Sequence, residues 1–271
     1  GVSKEQCFEL AETHIPELYE GQFLVANQVF SIDPAMVPWM FSLASYMVPQ
    51  EVGQPMLSWA TGKVVATKHP QYQIGDQVSG TFGWQDYCVS NGIDLNGDLV
   101  AREPEGASGE AAMSALWISG LTAFIGLFDT AHPLPGDTIL VSGAAGSVGN
   151  LVGQFAKLAG CRVVGIAGSD EKCNWLKDSL GFDATINYKT EPLLPSIQAV
   201  CPEGVDIYWD NVGGEMLDAA LAALFGSALR CEAPTHPWVR PTRPSPPAAG
   251  SSACGGPSRP TPPPPAEAGR E

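Results

Sequence analysis

The feature that most constrains the fold is a glycine-rich turn between two apolar segments. The stretch VSGAAGSVGN, residues 141–150, has glycines at 143, 146 and 149. The buried-strand pattern DTILVSG precedes these glycines, and the helical pattern SVGNLVGQFAKLAG follows them. A strand, a tight glycine turn and a helix in this order predict the start of a βαβ unit whose turn binds phosphate.

Glycine serves three purposes in such a turn. It permits the tight reversal, lets backbone approach a pyrophosphate, and lets the helix lie close to the sheet. The helix N-terminus then offers free N–H groups and a partial positive charge to the anion. We therefore predict a dinucleotide site of the form GxxGxxG, a variant of GxGxxG, made by Gly143, Ala144, Ala145, Gly146, Ser147, Val148 and Gly149. The alternative is a turn that only connects a strand to a helix.

The end of the second predicted strand, CRVVGIAG, indicates which dinucleotide would bind. NAD-binding folds place an acidic residue there, about 20 residues after the turn, to bond the ribose 2′-OH. Residues 165–169 contain no acid, whereas Ser169 and Lys172 can bind a 2′-phosphate. We therefore predict NADP rather than NAD, and interpret Asp170 and Glu171 as first-turn residues favoured by the helix dipole. The alternative for Lys172 is a solvated helix lysine.

Composition divides the chain into three regions. Residues 1–112 contain short β-type runs separated by Pro, Gly, Asn and Asp, which predict a mainly antiparallel β domain. Residues 113–229 alternate strand and helix patterns, including the strands DATINY and VDIYWDN, which predict a doubly wound parallel sheet. Residues 230–271 are rich in proline and nearly free of aliphatic residues, which predicts a disordered tail. The predicted fold class is α/β.

Charge and apolar patterning exclude several classes of protein. The net charge of −15 argues against nucleic-acid and anionic-membrane partners. No apolar run reaches the roughly 18–20 residues that span a bilayer. The first residues, GVSKEQCFEL, lack both a secretory pattern and an initiator Met, so we expect a cytoplasmic protein that is processed or a fragment. The seven cysteines form no CxxC motif, which favours reduced thiols over disulfides or structural zinc.

Longer stretches carry a family resemblance. GLTAFIGLFDTAHPLPGDTILVSGAAGSVGNLVGQFAKLAG, CRVVGIAGSDEKCNWL and CPEGVDIYWDNVGGEMLD resemble the zinc-independent medium-chain dehydrogenase/reductases. Within these, they are most similar to the branch of prostaglandin reductases, leukotriene B4 dehydrogenases and bacterial curcumin reductases. SIDPAM and GKVVATKHPQYQIGDQVSGTFGWQDYCVSNG extend the resemblance into the first region, so that it covers roughly residues 8–225.

The resemblance implies a fold, a reaction and site residues. It implies a GroES-like β domain joined to a Rossmann domain, and NADPH-dependent reduction of the C=C bond of α,β-unsaturated ketones or aldehydes. It also implies a homodimer. The matching cofactor positions are the glycine turn, Ser169, Lys172, Tyr188 and Asn211. Without the resemblance, Tyr188 is a strand-end aromatic residue and Asn211 a turn former.

The expected reaction needs no metal, because a hydrogen-bond donor is enough to stabilise the enolate charge that develops on the substrate carbonyl. None of the four histidines lies near a cysteine or glutamate at zinc-ligand spacing. The resemblance makes Tyr46 the candidate catalytic donor, and a packed loop tyrosine is the alternative. Trp39, Met40 and Met56 are candidates for an apolar pocket wall or for the core.

The chain departs from the family pattern at several places near the expected cleft. AMVPWM replaces an arginine-containing stretch, SWAT at 58–61 replaces a glycine-rich one, and Trp117 replaces a small residue. We expect these changes to alter substrate preference. After ALFGSAL the family pattern stops, and we hypothesise a frameshift, an alternative exon or a gene-model error near residue 226, with impaired activity. An NADPH quinone oxidoreductase and a non-catalytic NADP-binding or partner-binding protein are the two alternatives.

Overall fold

Two five-stranded sheets form the framework of the protein. The computed structural model describes residues 8–34, 36–40 and 50–225, together with the backbone of 238–239. These residues belong to one unit, Gly1–Pro241. The strands are β1 (Phe23–Phe30), β2 (Trp59–Thr67), β3 (Gln77–Thr81), β4 (Tyr87–Ser90), β5 (Ala101–Arg102), β6 (Thr138–Val141), β7 (Arg162–Ala167), β8 (Ala184–Asn187), β9 (Ile207–Trp209) and β10 (Trp238–Val239).

Helices connect most strands of the second sheet. They are α1 (Met36–Trp39), α2 (Gly109–Met113), α3 (Ile118–Phe124), α4 (Ser147–Leu158), α5 (Asp170–Leu180), α6 (Leu193–Val200) and α7 (Gly214–Phe225). A π-helical segment, Ile125–Ala131, continues α3. The helices predicted after the glycine turn and after Ser169 are confirmed as α4 and α5.

The first sheet is antiparallel, as the short β-type runs predict. Its strand order is β4-β1-β2-β3-β5, and every pair within it is antiparallel. Inward-pointing residues of the strands, together with two residues that adjoin β3 and β5, form one buried cluster: Phe23, Val25, Ala60, Val64, Val78, Phe82, Cys88 and Val100. The domain boundary near residue 112 stays a prediction.

The second sheet has the order β10-β9-β6-β7-β8, with β6 at its centre. β6 pairs in parallel with β7 and β9, and β7 pairs in parallel with β8. The four parallel strands are those predicted from DTILVSG, CRVVGIAG, DATINY and VDIYWDN. In chain order they give the 3-2-1-4 arrangement of the dinucleotide-binding fold. The predicted α/β class is therefore confirmed.

The last strand, β10, lies within the segment predicted to be disordered. It pairs with β9 in an antiparallel manner, and Trp238 is opposite Trp209. These two residues are in a strand because the outer edge of β9 offers N–H and C=O groups that need partners. The rest of the predicted tail, 230–237 and 240–271, lies outside the described residues.

Helices cover both faces of the second sheet, because its strand residues alternate between two apolar clusters. Ile139 and Val141 point to one face, where Leu151 of α4 and Leu176 of α5 pack. Leu140 points to the other face, which packs against α6 and α7 through residues that include Ile197 and Ala220. This two-sided packing makes the sheet doubly wound and leaves its carboxyl edge open to the connecting turns.

Candidate functional site

The candidate site lies where the carboxyl ends of β6, β7, β8 and β9 meet. β6 has β7 on one side and β9 on the other, so successive connections leave it in opposite directions. Open α/β sheets bind ligands outside such a switch point. This edge carries the glycine turn after β6, Ser169 after β7, Tyr188 after β8 and Asn211 after β9.

The glycine turn requires small residues at two positions. Gly143 has φ +55°, in the left-handed region that favours glycine, and a Cβ there would lie 3.3 Å from Asn211 Cβ. A Cβ at Gly149 would overlap the Gly143 carbonyl oxygen and lie 2.9 Å from Ala144 Cα. The start of α4 therefore packs directly on the turn only because position 149 has no side chain.

The N-terminus of α4 presents backbone donors at this edge. Its N-cap is Gly146, which provides no side chain to accept from the first-turn amides. Those amides, which include Ser147, Val148 and Gly149, have no acceptor within the helix. They lie at the positive end of the helix dipole. The arrangement suits an anion that accepts several hydrogen bonds at once.

Other amides of the turn are already engaged. The Ala144 N–H donates to the Ile166 carbonyl at 3.0 Å, and the Gly146 N–H donates to the Gly143 carbonyl at 2.9 Å. Ala144 is fully buried and Ala145 packs against the same core. Ala144 thus fixes the turn to β7, and its amide is not available to a phosphate group.

Asn211 connects the end of β9 to the strand before the glycine turn. Its side-chain Nδ2 donates to the Ser142 carbonyl at 2.8 Å, and its backbone N–H donates to Ser142 Oγ at 2.8 Å. Its Oδ1 accepts from Trp209 Nε1 at 3.1 Å. The structure therefore places Asn211 against Gly143, with its side-chain amide already bonded to protein.

Asp210, which the sequence analysis did not single out, organises the same loop. Its Oδ1 accepts from Tyr208 Oη and the Gly213 N–H at 2.9 Å, and from Ser142 Oγ and the Val212 N–H at 3.1 Å. Burial opposes ionisation of this carboxyl, but these four donors outweigh burial and hold the pKa of Asp210 below its usual range. The DNVGG sequence contains the signal, an Asp that accepts from amides two and three residues later.

Ser169 and Lys172 lie in the first turn of α5, directly after the tip of β7. Ser169 is the N-cap of α5, and its Oγ accepts from the Lys172 N–H at 3.3 Å. Lys172 is exposed, and within the described ranges its ammonium group takes part in no ion pair. A hydroxyl and an unpaired cation therefore lie one helical turn apart at this tip.

Tyr188 lies beside the same tip. It follows β8, and its backbone N–H donates to the Ala167 carbonyl at 3.2 Å. A Cβ built on Gly168 would lie 3.1 Å from Tyr188 Cε1 and Oη, so the tyrosine ring lies over the backbone next to Ser169. Tyr188 is 40% exposed. The structure thus brings together Ser169, Lys172 and Tyr188.

A second residue that sequence reasoning missed is Asn187, the last residue of β8. Its Nδ2 donates to Asp170 Oδ1 at 2.6 Å, and its backbone N–H donates to Glu191 Oε1 at 2.9 Å. Asn187 therefore binds two acidic side chains at this edge of the sheet, those of Asp170 and Glu191. No local sequence pattern identifies the Asn187–Asp170 contact, because it joins two different strand ends.

The residues predicted to line the substrate side are only partly described by the structure. Tyr46 lies outside the described residues, so its role as a donor stays a prediction. Trp39, Met40 and Met56 form one cluster with Met36, Leu57 and Trp59. Trp39 is buried and Met56 nearly so, and the Trp39 Nε1 has no hydrogen-bond partner. These residues come together as core, and their part in a pocket wall stays a prediction.

The described residues also bear on metal binding, disulfides and membrane insertion. No group of three or more His, Cys, Asp or Glu in this part of the chain is placed to hold a metal ion. The cysteines described there, Cys88, Cys161, Cys173 and Cys201, are buried and are not joined in disulfides. Across the same ranges, no helix is both long and apolar enough to cross a bilayer.

Two parts of the chain match known protein families. Residues 1–97 match a family described as the N-terminal domain of oxidoreductase, and residues 147–225 match one described as zinc-binding dehydrogenase. The chain is 38% identical over 236 residues to prostaglandin reductase 1 of Bos taurus, which covers 86% of this chain and 69% of that protein. The chain belongs to the zinc-independent medium-chain dehydrogenase/reductases.

Two further members of these medium-chain dehydrogenase/reductases show the extent of the match. An NADPH-dependent curcumin reductase of Escherichia coli is 40% identical over 228 residues, which are 84% of this chain and 65% of that protein. CurA of Vibrio vulnificus in complex with NADPH has a TM-score of 0.74 and 35% identity, over 83% of this chain and 65% of that one. The chain thus spans 65% of the length of the E. coli reductase.

Proposed function

We propose that this chain binds NADP(H) at the carboxyl edge of its second sheet and reduces the C=C bond of α,β-unsaturated ketones or aldehydes. The observation that carries the proposal is the uncapped N-terminus of α4 on a turn that admits no side chain at Gly149. Similar proteins support the reaction class, since they include an NADPH-dependent curcumin reductase and a prostaglandin reductase.

The described residues fit the two charged parts of this cofactor. The first-turn amides of α4 suit the pyrophosphate, because they point away from the helix and have no side-chain cap. Lys172 and Ser169 suit the 2′-phosphate, since an ammonium group and a hydroxyl lie at the tip of β7. Tyr188 supplies a ring beside them. The NADPH complex of CurA supports this choice of cofactor.

The reaction divides between cofactor and protein. Reduced nicotinamide, when bound, would supply a hydride to the β-carbon of the enone, and a proton from solvent to the α-carbon would complete the reduction of the C=C bond. The protein holds the 210–213 loop against the glycine turn through Ser142, Asn211 and Asp210. We assign Tyr46 to donate a hydrogen bond to the substrate carbonyl as negative charge develops there.

The proposal extends to the localisation and the oligomeric state of the protein. We propose that the chain works in the cytoplasm as a homodimer, with residues 1–112 contributing the substrate side and 113–229 the cofactor side. The departures from the family pattern at AMVPWM, at SWAT (58–61) and at Trp117 are proposed to alter substrate preference. Light scattering on the purified chain measures the dimer directly.

Turnover with matched electron acceptors tests the reaction class. Purified protein is mixed with NADPH and one of an enone, an alkenal, the corresponding saturated ketone or a quinone, and oxidation of NADPH is followed by absorbance. We expect oxidation with the enone and alkenal and none with the saturated ketone. Turnover of the quinone alone would replace the proposal with a quinone oxidoreductase, and binding of NADPH without any turnover would indicate a non-catalytic protein.

A further inference from the structure

We propose that Asn187 is a positioning residue that sets the preference for NADP over NAD, by holding the Asp170 carboxylate away from the 2′ position. The inference rests on the proposed function, because it concerns the same cofactor. Its basis is the 2.6 Å hydrogen bond from Asn187 Nδ2 to Asp170 Oδ1. Asp170 directly follows Ser169 in the chain and lies one turn before Cys173 and Asn174.

The chemistry of the ribose makes the direction of this carboxylate decisive. A carboxylate at the tip of the second strand accepts a hydrogen bond from the 2′-OH of NAD. The same carboxylate repels a 2′-phosphate, because two anions a few ångströms apart are unfavourable. Asp170 is the first acid after β7, so it is the residue that could play this part.

Asn187 is well placed to restrain Asp170. It is 5% exposed and pairs with Ala167 at the carboxyl ends of β8 and β7. Its Oδ1 accepts from the Lys189 N–H at 3.2 Å, which fixes the amide so that Nδ2 faces α5. Its own backbone N–H holds Glu191 Oε1 at 2.9 Å. The carboxylates of Asp170 and Glu191 are thus both bonded to one buried residue on the β8 side.

The surroundings of Cys173 agree with this direction. Its thiol is buried on the inner side of α5, whereas Lys172 is exposed. Burial raises the pKa of Cys173, and the carboxylates of Asp170 and Glu191 raise it further. Asp170, although exposed like Glu171 and Lys172, therefore lies near enough to the buried thiol for its charge to act there, in agreement with its bond to Asn187.

Loss of the restraint predicts a change of cofactor preference. If Asn187 cannot donate, Asp170 is free to turn toward Ser169 and the 2′ position. NADPH then binds more weakly, while NADH, which has no 2′-phosphate, gains an acceptor for its 2′-OH. The ratio of the two dissociation constants reports this specifically, because a general loss of structure weakens both cofactors alike.

Two variants at this position test the inference. Asn187→Ser keeps an oxygen that accepts from the Lys189 N–H but is too short to reach Asp170. Asn187→Asp keeps the shape and places a carboxylate opposite Asp170. Dissociation constants for NADPH and NADH are measured by calorimetry after thermal unfolding has shown which variants fold. In each folded variant we expect the ratio of the NADH to the NADPH dissociation constant to fall about tenfold.

Two controls accompany these variants. One is the double variant Asn187→Ser with Asp170→Asn, and the other is the single variant Asn174→Ala. Asn174 is an exposed asparagine on the same helix, so its replacement is expected to leave the ratio unchanged. We expect Asp170→Asn to restore the lost preference, since the effect of Asn187 acts through that carboxylate. A double variant that keeps the lowered ratio would overturn the inference.

The remaining outcomes separate the inference from the proposed function. A wild-type preference for NADPH that survives in folded Asn187 variants overturns the inference and leaves the proposed function intact. A wild-type protein that binds NADPH and NADH equally overturns both this inference and the assignment of the 2′-phosphate site.

Discussion

Lys172 is the residue on which the choice of cofactor most depends. It lies in the first turn of α5, exposed, and its backbone N–H is bonded to the capping hydroxyl of Ser169. Tyr188 lies over the adjoining backbone at Gly168. This combination gives one cation that is free to meet a 2′-phosphate without first breaking an ion pair in the described part of the chain.

Replacing this cation gives a residue-scale prediction. Lys172→Ala is expected to weaken NADPH binding about tenfold and to leave NADH binding within about twofold, because only NADPH carries the 2′-phosphate. Lys177→Ala is the matched control, since Lys177 is an exposed lysine in the last turn of the same helix. Calorimetric titration measures the binding of each of the two variants to each of the two cofactors. Equal losses for both cofactors would contradict the assignment.

Individual residues differ in how well the sequence predicts them. Ser169 is identified as a helix cap because Ser followed by Asp, Glu and an apolar periodicity is a local signal. Asp210 and Asn187 escape sequence reasoning because their partners are distant in the chain: Asp210 meets Ser142 across β9 and β6, and Asn187 meets Asp170 across β8 and α5. Only the strand order brings these pairs together.

At the scale of elements, the junction of β6 and α4 is the most demanding part of the site. Ile139 and Val141 anchor β6 in the core, and Leu151 anchors α4 against the same cluster. Gly149 lies where the helix meets the turn, with no room for a side chain. The geometry of the first-turn amides is therefore set by the packing of both elements.

A methyl group at this junction is expected to disrupt binding. Gly149→Ala places a Cβ on the Gly143 carbonyl, which shifts the turn and costs about 2 kcal/mol of unfolding free energy. We expect NADPH binding to fall by at least about tenfold, because the displaced amides no longer converge on one anion. Chemical denaturation and calorimetry measure the two effects.

Gly153→Ala is the control for stability alone. It lies one turn later in α4, where a Cβ would overlap the Phe182 ring and not the backbone of the glycine turn. We expect a similar loss of stability, with NADPH affinity of the folded protein retained. If both variants bind NADPH as the wild type does, the turn is only a connection between strand and helix.

The elements themselves are largely predictable, for local reasons. The strands β6 to β9 and the helices α4 and α5 each carry a complete signal: a buried run, a glycine turn or a capping serine. The π-helical segment after α3 and the antiparallel strand β10 carry none. A π-helix depends on packing against neighbours, and β10 depends on the free edge of β9.

At the scale of the whole molecule, the two sheets correspond to the two matched families. Residues 1–97 include strands β1 to β4 of the antiparallel sheet. Residues 147–225 include strands β7 to β9 of the parallel sheet and the helices α4 to α7 that pack on it. The glycine turn, the tip of β7 and the loop after β9 all lie at the carboxyl edge of the parallel sheet, in one continuous segment, 142–213. Cofactor binding is therefore expected to be measurable independently of the C=C reduction.

The central claim is that the uncapped α4 N-terminus and the Lys172 cation together bind NADP(H). Titration of the purified chain with NADPH and with NADH, under identical conditions in a calorimeter, tests it most directly. The account predicts one NADPH per chain, bound at least about tenfold more tightly than NADH. An absence of heat with both cofactors, or equal affinity for the two, would contradict it.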